Sequence, residues 1–275
     1  MSRFDLRIRK GEIYNLMNPT NFDVDAFSFF NRVTAAGGSL SLNEQNAINK
    51  LVVDLKYYDL WNNLKAIYPF VGATASSCSQ NLISSSFTGS FTAGWTFSSN
   101  GVQGNGSSTF FNTNFNQSSN LSASNNHISI YSRTDFNAPT TLNVDCGITN
   151  NISYSFNQFA IRNSGNITYE NGSQVMTTAN SNSLGLYIGT STSTTSAKLY
   201  KNGAVLSSNS TTQAKTLFNN NIYIGATCLN TNNSGLYFTN RQYSFASIGN
   251  GLTDTQASYL YTIVQAFQTS LSRQV

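Results

Sequence analysis

Charge is what this sequence lacks most. Asp, Glu, Lys and Arg together make up 9% of its 275 residues, against about a quarter in an ordinary soluble domain. Glutamate occurs only at Glu12, Glu44 and Glu170, and histidine only at His127. One histidine argues against a histidine-based metal cluster and leaves a Ser-His-Asp triad without spare partners. His127, beside Asn126 at the start of a strand, reads as a surface or edge residue. Cys78, Cys146 and Cys228 lie far apart and cannot all pair within one chain, so each reads as a small buried hydrophobe. No run approaches the roughly 18 apolar residues that would span a bilayer. Met1 is followed by a charged, alternating segment and no apolar stretch, so no secretory leader and no membrane contact are expected. The net charge of +4 is partly concentrated in Arg3, Arg7, Arg9 and Lys10. No basic stripe interleaved with aromatics follows, which argues against nucleic acid as a partner.

Asn, Ser, Thr, Gly and Gln take the place of the missing charge. Hydrophobic residues at 39% and aromatics at 13% suffice for a core, whereas disordered chains are typically charged and aromatic-poor. The balance suits a protein that works outside a cell and presents neutral amides and hydroxyls, as adhesins, lectins and virion fibres do. Sequons at Asn116, Asn120, Asn151 and Asn166 follow from so much Asn and Ser and need not carry sugar.

The chain divides into an N-terminal arm (1–20), a helical segment (21–69) and a β-rich region (70–275) that ends in a helix over 253–271. In the arm, Phe4, Leu6 and Ile8 alternate with Asp5, Arg7 and Arg9, a period of two that predicts a short strand. With its basic face, Arg3 included, this strand either docks on a sheet edge of another subunit or pairs within its own chain. Asp23 precedes Ala26, Phe27, Phe30 and Val33 at helical spacing, and Gly37-Gly38 ends that run. Ser41 and Glu44 form a capping box ahead of the apolar stripe Ile48, Leu51, Val52 and Leu55. A further helical piece holds Leu60, Trp61 and Leu64, and Pro69 closes the region.

Beyond it the signal is all β. Ile128/Ile130, Leu186/Ile188 and Ile222/Ile224 alternate with their neighbours, Phe156, Phe159 and Ile161 mark another strand, and Tyr243 and Phe245 one near the end. Asn202-Gly203, between two alternating runs, predicts a two-residue hairpin turn. The Tyr-Ile-Gly triplets at 187–189 and 223–225 suggest equivalent strands. Many short strands with no interposed helices predict an antiparallel sandwich. Thr253 and Gln256 form a second capping box before Leu260, Ile263, Val264, Phe267 and Leu271. That stripe must be buried, on the sandwich and N-terminal helices or on a neighbouring subunit.

The hairpin Ala197 to Leu206 resembles that of concanavalin A-like (laminin G-like) sandwich domains. Leu55 through Leu60-Trp61 to Gly72, Gly94-Trp95-Thr96 with Gly104-Asn105-Gly106, Tyr131-Ser132-Arg133, Phe245 to Thr253 and Tyr261 to Val275 resemble a family of phage-encoded virion proteins built on such domains. The resemblance covers most of residues 40 to 275. It implies a mainly β fold, a concanavalin A-like antiparallel jelly-roll sandwich with an N-terminal helical segment and a C-terminal amphipathic helix. It also implies a virion protein made in the host cytoplasm: a tail, baseplate or head-fibre component, homo-oligomeric and in contact with other virion proteins. Its motifs are structural and assign no catalytic residue.

Glycosidases of this fold place two carboxylates on one strand, about 5 to 5.5 Å apart in the retaining mechanism. The β region offers Asp135, Asp145 and Glu170, none at that spacing, so no enzyme, catalytic residue or cofactor is expected. Asp135 with Asn137, or Asp145, lacks the clustered oxygens of a calcium site, so no metal is expected either. A metal-free glycan site needs an aromatic platform with amides and hydroxyls. Trp95, Tyr154, Phe156, Tyr169 and Tyr237 are the candidates, each with core packing as its competing role. The expected function is a non-enzymatic virion structural protein displaying a lectin-like sandwich, with recognition of host-surface glycans as the alternative and glycoside hydrolysis a distant third.

Overall fold

The computed structural model describes residues 22–138 and 142–275. In chain order they form α1 (Val24–Ala35), α2 (Leu42–Tyr57), β1 (Leu64–Tyr68), one-turn α3 (Ala75–Cys78), β2 (Ser90–Phe91), β3 (Thr96–Ser98), β4 (Gly101–Gln103) and β5 (Phe111–Asn116). One-turn α4 (Gln117–Asn120), β6 (Asn126–Ser132), β7 (Cys146–Thr149), β8 (Ser155–Asn163), β9 (Asn166–Asn171), β10 (Gln174–Ala179) and β11 (Gly185–Ser193) follow. The chain ends with β12 (Ser196–Lys201), β13 (Ala204–Asn209), β14 (Asn221–Ile224), β15 (Thr227–Leu229), β16 (Gly235–Leu236), β17 (Gln242–Gly249) and α5 (Asp254–Ser270). The docking residues Arg3, Phe4, Leu6, Arg7, Ile8 and Arg9 lie outside the described residues.

Two sheets make the sandwich. An eight-stranded sheet runs β13-β12-β11-β6-β17-β4-β3, with β1 also on β17, and a nine-stranded sheet runs β10-β9-β8-β7-β14-β5-β2. Pairing is antiparallel except where β15 meets β7. Strand alternation sorts the side chains into two cores. Ile128, Ile130, Tyr187, Leu199, Ala246 and Ile248 point between the sheets, where they meet Phe111, Phe115, Ile148, Phe156, Phe159 and Tyr169. The intervening Tyr131, Leu186, Ile188, Tyr200 and Phe245 point outward and are covered by α1, α2 and α5. The molecule therefore has three layers: helices, a helix-backed sheet and a far sheet.

The helices begin and end where the local chemistry dictates. The Asp23 carboxylate accepts from Asp25 N, and α1 stops just before Gly37 at φ +79°. Both capping boxes, Ser41/Glu44 and Thr253/Gln256, are formed. Glu44 also accepts from Gly72 N at 2.8 Å, which ties α2 to the loop after β1. The α5 stripe is buried within the chain itself, Leu260, Ile263, Val264 and Phe267 all joining the helix-side core. Asn202-Gly203 sits at the β12–β13 tip with φ of +50° and +77°, the left-handed pair that a two-residue turn requires. Asn202 Oδ1 accepts from Leu186 N at 2.8 Å and pins the tip to β11.

Several expectations are corrected. The helical piece at Leu60, Trp61 and Leu64 is a single 3₁₀ turn, Trp61–Asn63, and Leu64 opens strand β1, which pairs with β17. A register shift between Leu64 and Ala66 breaks the period of two. Leu64 and Ile67 consequently face the helices while Ala66 and Tyr68 face the other sheet. The resulting Leu60, Leu64, Ile67 spacing imitates a helix. In α1, Phe29 takes the buried position and Phe27 stands 54% exposed. The Tyr-Ile-Gly triplets are not equivalent: Tyr187 belongs to the helix-backed sheet and Tyr223 to the far one. All three cysteines are free and buried.

Candidate functional site

The five aromatic candidates separate. Phe156 and Tyr169 are fully buried between the sheets, and Trp95 is 8% exposed. Trp95 packs on Phe91 with ring centroids 5.4 Å apart, and Tyr169 lies 4.7 Å from Phe159. A ring with no open face cannot stack on a ligand, so these three belong to the core. Burial also pushes the Tyr169 phenol well up.

Tyr154 and Tyr237 remain half-buried, on either side of the loop 150–154. The Tyr237 hydroxyl donates to Asn151 Oδ1 at 2.5 Å. Asn150 Oδ1 accepts from the backbone N–H groups of Ile152, Ser153 and Tyr154 and closes the loop, with Ile152 89% exposed at its tip. Tyr154 is flanked, however, by Phe218, stacked at 4.7 Å, and by Lys215 Nζ, 5.3 Å from its ring centroid. Its ring is already in use as packing.

Asp145 and Asp135 are engaged separately. Asp145 is fully buried and accepts from Arg241 Nη1 at 3.0 and 3.2 Å, from the Tyr243 hydroxyl at 2.7 Å and from Ile161 N at 2.8 Å. Arg241 Nη2 donates onward to the carbonyls of Phe136 and Arg162. Asp145 precedes β7 and Arg241 precedes β17, so this ion pair clasps the two sheets together. Asp135 pairs with Arg162 at 2.7 Å and accepts from Ser183 N, which lowers its pKa.

His127 corrects the sequence reading, being fully buried on the helix side of β6. Its Nδ1 lies 2.5 Å from the Asn250 carbonyl, so Nδ1 carries the proton and Nε2 accepts from Ser247 Oγ at 3.1 Å. Ser247 in turn meets Ser129 Oγ at 2.7 Å. Burial disfavours the imidazolium and lowers the pKa to about 4. The residue reads as a surface one because its partners Ser247 and Asn250 come from distant sequence.

A cleft of about 320 Å³ is lined by Thr190, Thr192, Ser196, Lys198, Leu252, Thr253, Asp254 and Thr255. Thr190 and Thr192 on β11, and Ser196 and Lys198 on β12, lie on the outward face of the helix-backed sheet by strand alternation. The first turn of α5 walls the other side. Lys198 Nζ donates to both Asp254 oxygens at 2.6 and 2.8 Å, and the Tyr200 hydroxyl donates to Oδ1 at 2.6 Å. These bonds hold Asp254 below the usual carboxylate range and neutralise the only charges in the lining. Thr190 is buried with its hydroxyl bonded to the Asn126 and Leu252 backbone, and the Thr253 hydroxyl caps α5, so what is left is a neutral lining with the hydroxyls of Thr192, Ser196 and Thr255, beside Leu252. No residue of this lining was a candidate site residue in the sequence, where Thr253 is read only as a helix cap.

Among the described residues no group of three or more His, Cys, Asp or Glu is placed to hold a metal ion. Among the described residues no helix is long and apolar enough to cross a membrane.

No protein-family model matches the chain, and no curated protein sequence matches it. Solved structures do. Domain 4 of an extracellular GH43 arabinanase from Geobacillus stearothermophilus, solved in complex with arabinotriose, is similar at a TM-score of 0.50 and 14% identity, over 72% of this chain and 98% of that one. The botulinum neurotoxin serotype D binding domain is matched at 0.49 and 12% identity, over 74% of this chain and 52% of that one. The binding domain of Paraclostridial Mosquitocidal Protein 1 gives 0.48 and 14%, over 73% and 52%. The chain thus spans about half the length of these toxin domains. At such identity the likeness to the arabinanase domain shows a shared fold, the β-sandwich.

Proposed function

We propose that this chain is a non-enzymatic binding module, carried on a phage virion as a structural or fibre component, that recognises neutral glycans. The observation that carries the glycan reading is the cleft at Thr190, Lys198 and Asp254. Its size falls at the lower end of small-molecule sites, about 300 to 1,000 Å³. The hydroxyls of Thr192, Ser196 and Thr255, with an internally neutralised ion pair, offer donors and acceptors without net charge, which suits a polyol. A domain of the same fold was solved with arabinotriose, which supports the reading by analogy of fold alone. Its hydrolase rival would need two carboxylates about the cleaved bond, and this lining holds one, Asp254. The virion part rests on the resemblance of residues 40 to 275 to phage structural proteins and on the charge-poor composition.

Screening the full chain on an array of neutral and acidic glycans tests the binding. Retention of neutral glycans, lost in Lys198→Ala, is the expected result; no retention of any glycan defeats it. Mass spectrometry of purified particles tests the virion role, which fails if the chain is absent from them.

A further inference from the structure

A second feature borders the cleft. Thr255 lines it, and Tyr259, one helical turn on, lies on the same face of α5. Tyr259 is 39% exposed and Tyr57 48%, whereas Tyr68, Tyr131, Tyr169, Tyr187, Tyr200 and Tyr243 are fully buried. Between the two exposed rings lies Tyr58, its centroid 4.5 Å from Tyr259 and 5.0 Å from Tyr57. A row of tyrosines therefore leads from the rim of the cleft across to the C-terminal end of α2.

We infer that the cleft and the row Tyr259, Tyr58, Tyr57 are one extended site, and that its ligand is a linear neutral oligosaccharide long enough to reach both. The inference rests on the glycan reading above and adds the length of the ligand and its path. The cleft supplies hydroxyls and the Lys198–Asp254 pair, which fix one end by hydrogen bonds. Tyrosine rings supply broad, rigid apolar faces with a polar edge, suited to the C–H faces of successive sugar rings. A cleft whose charges cancel has no electrostatic preference for a phosphate, a sulfate or an amine, so the class is neutral. The hydroxyl lining continues into phenolic hydroxyls, so the polarity of the path matches a sugar chain better than the apolar side of a protein partner.

The test uses the full chain and arabinose, xylose and glucose oligomers from monosaccharide to hexasaccharide, with affinities measured by calorimetry. Wild type should bind one series with affinity rising with length. Tyr259→Ala and Tyr57→Ala should lower the longest ligand's affinity about tenfold, leave the shortest ligand's unchanged and leave the melting temperature where it was. Lys198→Ala should weaken all lengths together. If wild type binds but the tyrosine variants behave like it at every length, or lose all lengths equally, the extended site is wrong while the glycan reading stands. If no series binds, both fall. If the tyrosine variants instead convert a dimer into a monomer in light scattering, the row is a contact between copies and the inference is wrong.

Discussion

His127 shows how a single side chain couples burial to pH. The imidazole is fully buried, and its hydrogen bonds to Asn250 and Ser247 suit the neutral ring. Its pKa falls to about 4 in the fold, from an ordinary 6.5. A base with a depressed folded-state pKa is protonated in the unfolded chain first, so the unfolded state binds more protons between these values. The stability this contributes is fully present above pH 6.5 and is lost as pH falls towards 4. Lowering the pH from 7 to 5 should therefore cost roughly 2 kcal/mol through this residue. Urea denaturation at both pH values, on wild type and on His127→Gln, isolates that share from the carboxylates. If the variant loses as much stability as wild type over the interval, His127 is not the group responsible. The Asp145–Arg241 pair and the His127–Ser247–Ser129 chain were equally invisible in the sequence. Their members stand about 100 residues apart or more, or alternate on strands whose outer cover comes from elsewhere.

At the scale of elements, the sequence was readable wherever a signal is local. Caps at Asp23, Ser41/Glu44 and Thr253/Gln256 fix helix starts through hydrogen bonds spanning three residues or fewer. Alternation at Ile128/Ile130 and Leu186/Ile188 reports a strand because both of its faces are set by side-chain period. β1 escaped because an irregularity near Lys65 shifts the phase and leaves apolar residues at helical intervals. The cleft escaped for another reason. It is assembled from β11, β12 and α5, and each threonine in it is one of many in a chain rich in hydroxyls. The aromatic candidates Trp95, Phe156 and Tyr169 failed because a sandwich core consumes large rings first. The β12–β13 hairpin is the element whose local chemistry can be tested most directly. Gly203 has φ +77°, and a Cβ there would come within 2.9 Å of the Tyr261 ring on α5. Gly203→Val thus meets both a disfavoured backbone and a neighbouring helix, and should cost about 1–3 kcal/mol in chemical denaturation. Unchanged stability would mean that the hairpin tip and α5 move apart without penalty.

For the whole molecule, the three layers explain why a β-sandwich carries helices at all. The outward face of its helix-backed sheet presents Tyr131, Leu186, Ile188, Tyr200 and Phe245, which α1, α2 and α5 remove from water. These helices are thus part of the folded unit. On the virion reading, the Phe4/Leu6/Ile8 pattern with Arg3, Arg7 and Arg9 is expected to dock on an acidic neighbouring subunit or a second copy. Deleting residues 1–20 should then leave the thermal unfolding of the remainder within about 0.5 kcal/mol of wild type, and leave glycan retention intact. Incorporation into particles should be abolished, and raising the salt concentration should weaken attachment of the intact chain because exposed charges are screened. Truncated protein that still enters particles at the normal copy number would mean that assembly uses another surface, and the arm would have no docking role.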